Sequence, residues 1–139
     1  MNTARNISLL YRKMNSMTNT RFSALNLSSA KAIFLLCIHD HKIMSQVEIC
    51  RELEMDKSSV AKMLMRLEKD GFITKTANPE DTRSMLISLT DKADSLIPSA
   101  QAIVNDWVEE STSCLTDLER RNFYELLEKV GQHITETMK

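Results

Sequence analysis

The stretch DKSSVAKMLMRLEKDGFITKTANPEDTRSMLISLTDKA, Asp56 to Ala93, changes partway from helical periodicity to hairpin alternation. At about 100° per residue, Val60, Leu64 and Leu67 share one side of a helix, and Ser58, Ser59, Lys62, Arg66 and Lys69 share the other. Asp56 is a suitable N-cap, because its carboxylate can accept from the backbone N–H of Ser58 or Ser59. Gly71 stands where a glycine ends a helix. Phe72 to Ala77 then contains a strand-type run, Asn78-Pro79-Glu80-Asp81 carries turn chemistry, and Met85, Ile87 and Leu89 alternate with Leu86 and Ser88 on the return. This predicts a helix followed by a two-stranded wing, with Arg83 near its tip.

Working upstream, Ser45-Gln-Val-Glu48 has the spacing of a capping box, so a short helix begins at about Gln46 and turns Ile49, Cys50 and Leu53 inward. Only Glu54 and Met55 separate Leu53 from the Asp56 cap, which makes the pair a helix-turn-helix. A helix that packs one face and frees a polar one, beside a basic hairpin, has the parts needed to read DNA in two grooves. The expected fold is mainly α (α+β), a winged helix-turn-helix with a helical lobe built from the chain ends.

At these residues the sequence resembles the MarR family of bacterial winged-helix regulators. The likeness runs through DKSSV (56–60), RLEKDGFI (66–73), NPEDTRS (78–84) and LTDKA (89–93). Element order extends it over nearly the whole chain, although the specific motifs lie in the middle third. The resemblance implies one domain over 1–139, with a DNA-binding lobe at 28–92 and dimerisation helices at 1–27 and 93–139. It also implies a homodimer that binds an inverted-repeat operator, acts as a repressor, and is released by a small aromatic or phenolic effector.

Composition is compatible with this reading. The chain has 139 residues, 42% hydrophobic and 27% charged, ordinary for one globular domain. Arg5, Arg12 and Lys13 interrupt the first segment as no signal peptide would, so a cytoplasmic protein is expected. Two glycines in all leave no phosphate-cradling Gly-rich loop. The net charge is −1, yet residues 1–44 carry six Lys/Arg against one acid and residues 93–139 carry four against nine. That asymmetry either helps two subunits attract or belongs to solvated surfaces, since exposed ion pairs contribute little each.

The flanking segments carry helical stripes. Ile7, Leu10, Tyr11, Met14, Met17 and Phe22 recur in the first, and Ser28 can cap a second that carries Ile33, Leu36 and Cys37. Thr90 can cap a long fifth helix with Leu96, Ala100, Ile103 and Trp107, made irregular near its start by Pro98. Thr116-Asp-Leu-Glu119 is a second capping box, followed by the seam Phe123, Leu127, Val130 and Ile134. One small winged domain cannot easily bury these stripes, which points to a partner subunit.

The candidate DNA-binding residues are Ser58, Ser59, Lys62, Arg66, Lys69 and Arg83. Ser58 and Ser59 are short donors and acceptors for phosphates or base edges. Lys62 stands where the family pattern often has Arg, and lacks the two-pronged guanidinium fork. Ala61 replaces a common Thr and leaves a methyl that could touch thymine. Arg83 suits a narrow minor groove, where negative potential is enhanced. Asp81 would repel phosphate, so its expected role is wing support, by accepting from the turn backbone or orienting Arg83 or Arg66.

Other chemistries are weaker. Cys37, Cys50 and Cys114 are candidates for thiol sensing, although free cysteine is mostly a small buried apolar group. In Cys37-x-His39-x-His41 the alternating spacing does not put three donors on one helical face, so no metal or cofactor is expected. His133 stands alone, and no nucleophile–base pairing suggests an enzyme. A winged-helix module that binds protein remains the competing class.

Overall fold

The computed structural model describes residues 2–138; Met1 and Lys139, which end the expected ranges, lie outside them. Helix α1 spans Thr3–Phe22, α2 Ser29–His41, α3 Gln46–Leu53, α4 Lys57–Lys69, α5 Asp91–Asp94, α6 Ile97–Ser111 and α7 Asp117–Thr137. Strands β1 (Ile43–Ser45), β2 (Ile73–Asn78) and β3 (Asp81–Leu89) form one antiparallel sheet in the order β1-β3-β2. Compact packing divides the chain between Val104 and Asn105.

The helices begin where their side chains satisfy orphan N–H groups. Ser28, Ser45 and Thr90 accept from the backbones of Lys31, Glu48 and Ala93, three residues on in each case. In the N-terminal unit α2 supplies Phe34, Leu35 and Ile38 to the core, where they meet Met44, Ile49, Val60, Leu64, Leu67 and Ile87, each at most 1% exposed. Thr18 and Ser29 are buried together through an Oγ1–Oγ hydrogen bond of 2.8 Å, and the Ser29 N–H donates to Asn19 Oδ1, fastening α1 to the start of α2.

At four places the structure adds to these expectations or departs from them. The sheet has a third strand, β1, whose Ile43, Met44 and Ser45 pair with Ser88, Ile87 and Leu86. Ile33 does not face the core but is 48% exposed, and Phe34, Leu35 and Ile38 are buried instead. Segment 32–38 is apolar throughout, so periodicity alone could not orient it. The return strand buries Ile87 but leaves Met85 43% exposed, because β3 projects past the core toward the wing. The helix capped by Thr90 stops at Asp94, and a new one starts at Ile97, next to Pro98. Proline lacks an N–H and is tolerated only in a first turn, so the break falls where the ring requires it.

In the C-terminal unit, the Thr116–Glu119 capping box is closed by bonds of 3.1 and 3.2 Å. Thr112 is buried and its hydroxyl meets that of Tyr124 at 3.0 Å. Helix α7 has no buried residue among those described: Phe123, Leu127, Val130 and Ile134 are all exposed. In the other unit, Ile7, Leu10 and Tyr11 of α1 are likewise 48–64% exposed.

Glu54 ends α3 in the left-handed region, at φ 50° and ψ 47°. An L side chain there costs roughly 1 kcal/mol that glycine avoids. Glu54→Gly is therefore expected to raise stability by about 0.5–1 kcal/mol, read as a higher urea midpoint with an unchanged slope.

Candidate nucleic-acid interface

Helix α4 is held from behind. Val60, Leu64 and Leu67 are fully buried, so its opposite face must point outward, and Ser58, Ser59, Lys62, Arg66 and Lys69 are all exposed there. At its start, Asp56 accepts from the Ser59 N–H at 2.9 Å and from the Ser59 hydroxyl at 2.6 Å. These bonds hold the Asp56 carboxyl below its ordinary value, the hydroxyl bond contributing most. The Ser59 proton is thus committed to the cap, and its oxygen offers a new partner only lone pairs. Ser58 is exposed as well.

The end of α4 is latched. Gly71 sits at φ 78°, where its N–H donates to the Glu68 carbonyl and that of Phe72 to Leu67, closing the helix. The Thr90 hydroxyl donates to Gly71 O at 2.7 Å, and Lys92 Nζ donates to Asp70 O at 2.7 Å while lying 4.7 Å above the Phe72 ring. Lys31 of α2 meets Asp70 at 2.7 Å, and Lys75 of β2 meets Glu68 at 3.7 Å. Through these contacts the exposed face of α4 is oriented by three neighbouring elements.

The Asp70 carboxyl is held below its ordinary value of 3.8, chiefly by the hydrogen bond from Lys31. A carboxylate with a depressed folded pKa stabilises the protein fully above the unfolded value, and that stabilisation is lost as pH falls through the folded one. Asp70→Asn is expected to lower stability at neutral pH and to flatten the stability profile below about pH 4. An acid titration of thermal unfolding checks this: parallel profiles for the two proteins would remove the Lys31–Asp70 latch from the account.

In the wing, Pro79 and Glu80 make the turn, with the Asn78 side chain accepting from the Glu80 N–H. Pairing shifts register between Ala77 and Asn78: Ala77 faces Met85, but Asn78 faces Asp81. Thr82, Arg83 and Ser84 therefore bulge from the ladder. Asp81 Oδ1 accepts from the Arg83 backbone N–H at 3.0 Å, and Asn78 Nδ2 donates to Ser84 Oγ at 3.1 Å. Asp81 is thus bonded to the turn backbone beside Arg83, and the Arg83 side chain is exposed.

Between wing and helix-turn-helix lies an open cleft of about 400 Å³, lined by Gln46, Cys50, Lys57, Lys75, Arg83 and Met85 among others. It brings Arg83 to the same concavity as Lys57 at the start of α4. Sequence reasoning passed over Lys57 and Lys75; their charge was visible, but not the fold that carries them to Arg83. It also passed over Met65, which is 66% exposed on α4.

The cysteines differ. Burial, then Glu52 and Asp40, push the Cys37 thiol up to about 11, and its Sγ lies 3.7 Å from Met44 Sδ. Such a thiol carries almost no thiolate at neutral pH. Cys50 was expected to be a small buried residue; it is half-buried and borders the cleft, while Cys114 is exposed. His41 Nδ1 bonds to the Cys37 carbonyl at 3.0 Å and turns its other nitrogen toward Glu52. No cluster of metal-ligating side chains occurs among the described residues.

A buried-backed polar helix, a preceding short helix at a sharp turn and a basic wing together define a winged helix-turn-helix protein. The MarR family model matches residues 27–85. The chain is similar to the HTH-type transcriptional regulator BilQ of Clostridioides difficile, 27% identical over 75% of this chain and 70% of that protein. Its fold is similar to that of a MarR mutant from E. coli complexed with operator DNA, with a TM-score of 0.84, 28% identity and 91% of each chain covered. A MarR family regulator from Listeria monocytogenes complexed with a 26mer DNA shares the fold, with a TM-score of 0.89, 24% identity, and 98% of this chain and 91% of that one covered. The matched segment, residues 27–85, takes in the helix-turn-helix and most of the wing, and the solved structures share the fold over more than nine-tenths of the chain. Among the described residues, no single helix is long and apolar enough to cross a membrane.

Proposed function

We propose that the protein is a cytoplasmic, homodimeric repressor that binds an inverted-repeat DNA operator through α4 and the wing and is released by a small aromatic or phenolic molecule. The observation that carries the reading is the exposed face of α4, bearing Ser58, Lys62, Arg66 and Lys69 and oriented by buried residues behind it, with Arg83 presented on the bulged wing. The E. coli relative bound to operator DNA supports the same use of the fold here. Ser58 and Lys62 meet base edges or phosphates in the major groove, Arg66 and Lys69 reach phosphates, and Arg83 enters the flanking minor groove. Ser59 acts mainly through the cap, and Asp81 supports the wing from the turn backbone. Residues 28–92 form the reading lobe, and the helices of 1–27 and 93–139 form the dimer lobe.

Twofold symmetry would set two α4 helices about 34 Å apart, one turn of duplex, and calls for an operator on the order of 16–20 base pairs. The apolar faces of α1 and α7, each exposed in the single chain, supply surface for the second subunit. The excess of cations in residues 1–44 and of acids in residues 93–139 would draw the subunits together, so dimer dissociation is expected to increase with salt in sedimentation measurements. A salt-independent dimer would remove that electrostatic part. Release by an effector requires unequal affinity for the bound and free spacings of the two reading helices.

The test is selection of bound duplexes from a random DNA pool at several salt concentrations. An enriched inverted repeat with steep salt dependence supports the reading. Absence of any enriched sequence would leave the fold serving a protein partner instead.

A further inference from the structure

We infer that Met65 reads a thymine methyl in the major groove, making an A·T pair in each half-site a determinant of operator choice. The inference rests on the DNA-binding reading above and specifies what one part of that surface recognises. Ser58, Lys62, Met65 and Lys69 follow one another at spacings of four, three and four residues, a single line down the exposed face of α4. Three of the four are polar or charged. Met65 is the large apolar member, and it is 66% exposed although Leu64 just before it and Leu67 two residues on are fully buried. Its side chain is therefore turned away from the core and contributes nothing to it.

A thioether on this line is suited to one feature of the major groove. Base edges there offer donors and acceptors that a methionine cannot use well, and a single apolar group, the C5-methyl of thymine. Methionine is long, unbranched and polarisable, so it can follow that methyl from the third turn of the helix. Ala61, half-buried and one turn earlier on the adjoining line, widens the apolar strip toward the start of α4. Lys62 and Lys69, on either side of Met65, would hold the backbone phosphates or a guanine while the thioether packs.

Deoxyuridine lacks the thymine methyl and changes nothing else in the pairing edge, which makes it the appropriate probe. In the selected operator, each thymine is replaced in turn by deoxyuridine and binding is measured for the wild type, Met65→Ala, Met65→Leu and Arg83→Ala. One thymine per half-site is expected at which the replacement costs the wild type about fourfold, the worth of one buried methyl, and about fifteenfold when both half-sites are changed. Met65→Ala should be indifferent to that replacement, Met65→Leu should keep most of the sensitivity, and Arg83→Ala should bind more weakly throughout yet keep it in full. Identical deoxyuridine profiles for the wild type and Met65→Ala would overturn the inference while leaving operator binding intact. Failure of the wild type to enrich any duplex would overturn the DNA-binding reading, and this inference with it.

Discussion

Arg83→Ala is expected to weaken operator binding by about 30-fold or more at moderate salt, and to lower the salt dependence of what remains. A guanidinium placed in a narrow minor groove contributes on the order of 1–2 kcal/mol, and a twofold dimer loses two of them. The substitution should leave the fold untouched. Arg83 is exposed, and the bonds that shape the wing use its backbone N–H and the side chains of Asn78, Asp81 and Ser84. Thermal unfolding of the variant should therefore coincide with that of the wild type. Arg83→Lys should recover part of the affinity, because it keeps the charge and loses the planar fork. If Arg83→Ala bound the selected operator as tightly as the wild type, the wing would have no part in recognition.

The largest loss of stability is expected from Leu64→Ala, at about 3 kcal/mol, since a fully buried leucine is replaced by a cavity at the centre of the core. For a chain of this size that lowers the melting temperature by roughly 10 °C. The loss should reach function, because the face that Ser58, Lys62 and Arg66 present is backed by what Val60, Leu64 and Leu67 bury behind it. The next residue makes the control. Met65→Ala, one position along and 66% exposed, should leave the melting temperature within about 1 °C. A similar response from both variants would mean that α4 does not pack through the Val60–Leu64–Leu67 face.

The parts of the fold set by short-range chemistry could be read in advance. Ser28, Ser45, Asp56, Thr90 and Thr116 each cap a helix by accepting from an N–H three residues on, a geometry that depends on neighbours in sequence alone. Gly71 was readable for the same reason: a helix end at positive φ favours the residue without a Cβ. The inward face of α4 was readable because its apolar residues are few and periodic. In α2 they are many and continuous, and the choice between Ile33 and Phe34 as core residue was made by what packed against them.

The candidate site divides in the same way. Ser58, Lys62, Arg66 and Lys69 lie within one helix, so their common exposure follows from the helical repeat, and the Asp56 cap, expected to accept from Ser58 or Ser59, accepts from Ser59. The approach of Lys57 and Lys75 to Arg83 across one cleft depends on the packing of the wing against the helix-turn-helix, which no local rule contains.

By itself, then, the sequence determined the capped helix starts, the end of α4 at Gly71, the helix-turn-helix, the wing and the line of polar residues on α4, because caps, turns and helical spacing act over three or four residues. Only the tertiary structure decided that Ile43–Ser45 becomes a third strand against β3, that Ile33 is left outside, and that Lys57, Lys75 and Arg83 line one cleft. Those outcomes rest on contacts between residues far apart in the chain, and are settled when the core closes rather than when each element forms.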